Sequence, residues 1–248
     1  MEEIQQWRSH ERQYTLTDST FTKSELPEEA LPISQATGRK VFPPWSRERL
    51  QNEAATLEFI ASKTSIPVPK LLSLYEEDGL LHLKTERVPG ILLEDLASDT
   101  ATEYVANKLE SSILPQLRKL RHHTTGSVDG ALPLIPPSRI TYNDKRSSWS
   151  RKTAHNTDFV FCHNDLSQHN ILVDPDTLEI TAIIDWEFAG FYPEYFEYPL
   201  WKKSYKDWGQ DHLQADHLIR FLDSTGESME AAYAKTFILI ASRVDPTR

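Results

Sequence analysis

Apolar positions in this chain recur at helical spacing in some stretches and cluster in strand-sized runs between them. From Ser46 to about Lys63, the residues Leu50, Ala54, Leu57, Ile60 and Ala61 form one stripe. That stripe predicts a helix, with Ser46 as its N-cap. Glu53 falls inside the stripe, and a carboxylate on a buried face is costly unless a cation meets it. Ile66 to Gly90 predicts two strands about an Asp78-Gly79 turn, after which Val88-Pro89-Gly90 breaks the chain. Leu109, Ile113, Leu117 and Leu120 share one face of a helical stretch from about Thr100 to His122, which Pro115 should kink or split. Gly126 to Ser150 reads as loop. Phe159 to Cys162, Ile171 to Val173 and Leu178 to Ile184 predict strands, the last two joined by a turn at Asp174 to Thr177. From Tyr195 onward helices are expected, with amphipathic segments at 216–223 and 231–241. Residues 1–37 contain no glycine and carry weak signals only. Gly38 to Phe42 predicts a short strand, closed by Pro43-Pro44.

Composition narrows the class. The 248 residues are 39% hydrophobic and 26% charged, as in a globular protein. The net charge of -10, with no basic patch, argues against nucleic acid as a partner. The single cysteine, Cys162, excludes an internal disulfide framework and a multi-cysteine zinc site; a buried strand position is its expected place. No apolar run reaches the roughly 18 residues that a membrane span needs, and the start lacks a secretory pattern, so a cytoplasmic protein without membrane attachment is expected.

Candidate chemistry gathers in CHNDLSQHNILVDP, residues 162–175. The spacing His163-x-Asp165-x-x-x-x-Asn170 is that of the catalytic loop in protein-kinase-like phosphotransferases. A hydroxyl that accepts a phosphoryl group needs a carboxylate to orient it and take its proton. A metal ion on nucleotide phosphates needs oxygen ligands, here an Asn on the loop and an Asp on a neighbouring strand. Asp185, at the end of an apolar run, suits the second place: a hairpin between the two would set Asn170 and Asp185 side by side. The plain alternative is a polar loop that caps its own backbone, with Asp165 and Asn170 as turn residues. A metal site of His163 and His169 fits less well, because hard oxygen ligands outnumber the imidazoles.

The run from Phe159 to Trp201 resembles the aminoglycoside phosphotransferase family, also called the choline-kinase-like group, in its fungal branch. Its loop pattern H-G-D-L-x-x-x-N-I-L-V and its strand pattern I-I-D-W-E-x-A-G are matched here, with Asn164 in the usual Gly place. NEAATLEFIASKTSIPVPKLL (residues 52–72) and GSVDG (residues 126–130) also look like this branch. The resemblance implies an α+β, protein-kinase-like two-lobed fold, with an N-terminal lobe at 1–88 (1–37 weakly defined) and a C-terminal lobe at 89–248. It implies ATP and Mg2+ as cofactors and transfer of the γ-phosphoryl group to a hydroxyl of a small molecule. Asp165 would be the catalytic base, His163 a brace for the loop, and Asn170 and Asp185 the magnesium ligands. Glu53 would pair with a phosphate-touching lysine, for which Lys40 is the best-placed candidate and Arg39 its competitor. Thr85 to Val88, including Glu86 and Val88, would offer hinge backbone to the adenine.

Two features qualify the picture. A glycine-rich loop lets backbone N–H groups approach phosphates, yet no glycine precedes Gly38. The alternative function is therefore an inactive kinase-like module that binds nucleotide or protein. Glu187, Glu194 and Glu197, interleaved with Tyr192, Tyr195, Phe196 and Tyr198, predict a pocket for a cationic amine or a sugar. A solvated acidic face over core aromatics is the bland reading of the same residues. An activation loop ending in A-P-E is absent, which disfavours a protein kinase.

Overall fold

A computed structural model describes residues 4–96, 98–155, 158–202, 204, 206 and 215–224. The segment at 231–241 and most of Asp207–His217 lie outside the described residues.

Residues 4–86 build one antiparallel sheet and one α-helix, with a 3-10 turn at Glu28–Ala30. β1 (Gln5–Arg8), β2 (Arg12–Leu16), β3 (Thr20–Glu25), β4 (Leu71–Glu77) and β5 (Leu80–Glu86) lie in the order β1-β2-β3-β5-β4. The weak signals of residues 1–37 thus conceal three strands. Their sheet faces are polar outside and only half-buried inside, so no apolar alternation marks them. The Asp78-Gly79 turn forms as the sequence predicts: both residues have positive φ (51° and 76°), as a two-residue hairpin turn of the right twist demands. The strand expected at Gly38 to Phe42 is reduced to a single bridge between Ile33 and Lys40.

Helix α1 (Ser46–Lys63) follows, at the predicted bounds. Its N-cap is Trp45, in the left-handed region, and not Ser46. The Ser46 hydroxyl instead accepts from Arg12 Nη1 at 2.7 Å. The buried residues of α1 face two ways. Leu50 and Ala54 pack on Leu81 and Leu83 of β5, whereas Leu57 and Ile60 join the main core. α1 therefore ties the sheet to the rest of the molecule.

The remainder, among the described residues, mixes short helices with two small sheets. β6 (Ile91–Leu92) begins it, and the stretch predicted from Thr100 to His122 splits into α2 (Asp99–Lys108), a π turn (Leu109–Ile113) and α3 (Leu114–Lys119). Pro115 falls in the first turn of α3, directly after the π turn, where a missing N–H is tolerated. β7 (Arg121–His122) and α4 (Ser138–Asn143) precede β8 (Phe159–Cys162), β9 (Ile171–Val173), β10 (Ile180–Ile183) and β11 (Gly190–Tyr192). One sheet runs β10-β9-β6 and the other β11-β8-β7. The chain from His163 to Asn170 bridges these two sheets. α5 (Asp216–Asp223) closes over Phe159, Tyr195 and Phe196 through Phe221.

Candidate active site

The loop after β8 is held from below by two charged groups, the half-buried Glu197 and the buried Arg139. Glu197 accepts the backbone N–H groups of His163 and Asn164. The Arg139 guanidinium donates to the carbonyls of Asn164 and Phe196. Burial pushes the Glu197 carboxyl up to about 7, against the pull of those N–H groups and of Arg139. Asn164 takes φ 69°, the left-handed region that glycine prefers and Asn tolerates better than most residues. Its amide donates to Phe188 O at 2.8 Å.

His163 is a buried neutral imidazole. Nε2 donates to Ile184 O at 2.9 Å, Nδ1 accepts the Asp165 N–H at 3.3 Å, and the ring rests on Trp186. Burial drives its pKa down to about 4. The side chain thus ties the loop to the residue just before Asp185.

Asn170 Nδ2 donates to Asp165 O at 2.7 Å and more weakly to its carboxylate at 3.3 Å. Asn170 O accepts the Ile184 N–H at 3.0 Å, so the β9–β10 hairpin brings Asn170 beside Asp185, as the spacing predicts. Asp185 itself sits at φ 64°. Burial, and repulsion from Asp185 and Glu187, push the Asp165 carboxyl up to about 8.

Above these groups stands Lys23, which sequence reasoning missed. Its ammonium donates to both oxygens of Glu53 at 2.8 Å and to Asp185 Oδ1 at 2.7 Å. The cation that Glu53 demanded is therefore Lys23 on central strand β3, and not Lys40. Lys40 is an exposed side chain that pairs with Glu28 at 2.9 Å, and Arg39 is likewise on the surface. Burial works against the Lys23 charge, but Asp185 and Glu53 outweigh it and raise its pKa. Asp185 is also penalised by burial, yet Lys23 holds its pKa below the usual carboxylate value. Glu53, sharing that one cation, is pushed up to about 7 by burial.

Cross-strand register shows what else faces this cleft. Tyr14 lies opposite Lys23, Phe21 opposite Thr85, and Trp7 opposite Tyr14. Directly paired residues share a sheet face, so Trp7, Tyr14 and Phe21 stand on the Lys23 side, stacked at 5.4 and 5.9 Å. At the linker, the Glu86 N–H goes to Lys70 O and the Arg87 N–H to Ser19 O. No backbone carbonyl among the described residues accepts from the Val88 N–H.

The acidic trio expected to bind a cation is otherwise engaged. Glu187 is buried between Arg12 and Arg49, Glu194 pairs with Arg118, and Glu197 points into the loop backbone. Tyr192 donates to Ile135 O and Phe196 is core. An open cavity of about 740 Å3 lies elsewhere, along α2 and beside Gln168 of the loop, lined by Glu94, Asp99, Glu103, Glu110 and Lys202.

The carboxylates of Glu53, Asp185 and Glu187 approach within 4.8 Å of one another, a hard-oxygen set of the kind that Mg2+ prefers. Lys23 already bridges the first two and the arginines hold the third. Among the described residues, the donors that remain for a cation include the outer oxygen of Asp185 and the amide oxygen of Asn170.

A sheet in the order β1-β2-β3-β5-β4 capped by α1, over a half that mixes helices and small sheets and carries this loop and hairpin, defines a protein-kinase-like two-lobed α+β fold. The same architecture is found in a thermostable mutant of aminoglycoside phosphotransferase APH(4)-Ia in its apo form. That likeness has a TM-score of 0.50 and 12% identity, and covers 98% of this chain and 95% of that one. Residues 34–231 match the phosphotransferase enzyme family, and the chain belongs to it. It is 27% identical over 158 residues to aminoglycoside 3'-phosphotransferase of Streptomyces fradiae, which covers 55% of this chain and 57% of the relative. Against streptomycin 3''-kinase of Streptomyces griseus it is 27% identical over 146 residues, covering 50% and 54%. The chain thus spans little more than half the length of the curated relatives it matches.

Proposed function

We propose that this protein is an ATP- and magnesium-dependent phosphotransferase that moves the γ-phosphoryl group to a hydroxyl of a small molecule in the cytoplasm. The observation that carries this reading is the convergence of Lys23, Glu53, Asp185, Asn170 and Asp165 from both halves of the molecule onto one cleft. Family membership and the curated relatives, named as kinases of aminoglycosides, support it.

Lys23, braced by Glu53, meets the phosphates of the nucleotide. Asn170 and Asp185 hold magnesium, whose charge offsets that of the phosphates. Phe21 and Tyr14 offer ring faces to the base, and the Val88 backbone offers it a hydrogen bond. Asp165 orients the acceptor hydroxyl and takes its proton. His163 fixes the loop without titrating near neutrality. The chemistry runs by positioning and charge neutralisation, with no covalent enzyme intermediate. The cavity beside Gln168 has more acids than lysines, which favours a cationic acceptor such as an amino-alcohol or aminoglycoside-like amine.

The test is transfer of labelled γ-phosphate to a panel of amino-alcohols, aminoglycosides and sugars, with Asp165→Asn alongside. The variant is expected to bind nucleotide like the natural chain and to transfer at least about a hundredfold more slowly. Undiminished transfer by the variant would remove Asp165 from the role of base. The β1–β2 turn favours a second reading, a module that binds nucleotide without turnover, since it has no glycine. Nucleotide binding with no transfer to any member of the panel would favour that reading.

A further inference from the structure

The turn between β1 and β2 is where a glycine-rich strand pair would present backbone amides to phosphates. Here it reads Ser9-His10-Glu11, and the amides of Ser9, Glu11 and the following Arg12 are already engaged. Ser9 Oγ accepts the N–H of Glu11 at 3.2 Å and the N–H of Arg12 at 3.0 Å. The Ser9 N–H donates to Arg12 O at 2.9 Å. A phosphate approaching this turn therefore meets few free backbone donors, and any positive charge must come from side chains.

One side chain is placed to supply it. Arg12 opens β2 and lies on the same sheet face as Tyr14 and Lys23, since positions two apart share a face. It is 2% exposed. Nη1 donates to Ser46 Oγ, and Nη2 donates to Ser46 O at 2.7 Å and to Glu187 Oε2 at 3.3 Å. Its Nε is buried with no partner among the described residues. Glu187 stands within 4.8 Å of the Asp185 carboxylate, so the guanidinium borders the Lys23–Asp185 pair. Glu187 does not depend on Arg12 alone. Arg49 grips it from α1, reaches Glu11 at 2.7 Å, and lies over the Phe188 ring. Arg12 can turn away without leaving a buried carboxylate unpaired, the outcome that would make such a movement prohibitive.

We propose that the polyphosphate of the bound nucleotide is received by side-chain cations, Arg12 beside Lys23, in place of a backbone-amide cradle, and that Glu187 is the partner Arg12 leaves to Arg49. This rests on the phosphotransferase reading of the cleft. A planar guanidinium suits the task, because it binds phosphate oxygens in pairs.

The experiment is calorimetric titration of the natural chain, Arg12→Met and Arg12→Lys with adenosine, ADP and ATP in the presence of magnesium. Arg12→Met is expected to bind adenosine as the natural chain does and ATP about tenfold or more weakly, with Arg12→Lys between them. If Arg12→Met loses adenosine and ATP by the same factor, or keeps its full preference for ATP, Arg12 is only a structural clamp and the inference fails. Should Arg12→Met not fold, Arg12→Met with Glu187→Gln removes both buried charges together, and the same selective loss of ATP is expected. A natural chain that binds ATP no tighter than adenosine would overturn the phosphotransferase reading itself. That result is distinct from a natural preference that the variants retain.

Discussion

Asn164 shows how a single residue can depart from a family pattern and keep its geometry. The loop needs a left-handed residue after His163, and Asn supplies it with a bond to Phe188 O that glycine cannot make. Asn164→Ala should therefore lower stability by about 1–2 kcal/mol, the cost of a left-handed Cβ and a lost hydrogen bond. Asn164→Gly should lose less, by chemical denaturation of both; an Ala variant as stable as Gly would contradict this. Glu197 gives a second test. Its folded pKa of about 7 is raised above the ordinary carboxylate value, so protonation favours the fold. That contribution is complete below about pH 4.3 and is lost as pH rises through 7. Glu197→Gln, uncharged at every pH, should lose less denaturation midpoint than the natural chain between pH 5 and 8; equal losses would contradict the assignment. The nearness of His163, Asp165, Asn170 and Asp185, and the need of Glu53 for a cation, were legible in the sequence from the spacing along the loop and hairpin and from a carboxylate on a buried stripe. Lys23 was not: its partners lie 30 and 162 positions away, and only strand register joins them.

Elements were legible where burial has one dominant direction. α1, the Asp78-Gly79 hairpin and the β9–β10 hairpin carry their periodicity openly. β1 to β3 do not, because one sheet face meets solvent and the other lines an open cleft, so polar and aromatic residues replace the apolar alternation. Missing those strands is what made Lys40 look like the nearest cation. Close packing between elements is a further property that sequence hides. Gly190 of β11 meets Gly126 so tightly that a Cβ would stand 2.6 Å from Gly126 O, where the backbones of residues 126 and 191 exchange two hydrogen bonds. Gly190→Ala should destabilise by about 1–3 kcal/mol through overpacking, as read from its melting curve; an unchanged melting temperature would contradict that contact.

At the scale of the molecule, the site exists only where the two halves meet. Lys23 and Arg12 come from the sheet, Glu53 and Arg49 from α1, and Asp165, Asn170, Asp185 and Glu187 from the second half. Asn52 of α1 strengthens the joint by donating to the carbonyls of Glu187 and Ala189 at 2.9 and 3.0 Å. Lys23, Arg12 and Arg49 face the carboxylates of Glu53, Asp185 and Glu187, so the charges brought together at this joint largely offset one another. The most direct measurement is thermal stability with ATP, with and without magnesium, for the natural chain and for Asp185→Ala. A ligand at a hundred times its Kd adds about 2.7 kcal/mol to the folded state. The natural chain should gain that stability with MgATP and less with ATP alone, while Asp185→Ala should show no extra gain from magnesium. No stabilisation of the natural chain, or a magnesium effect that survives Asp185→Ala, would contradict a cation-dependent nucleotide site at Asp185.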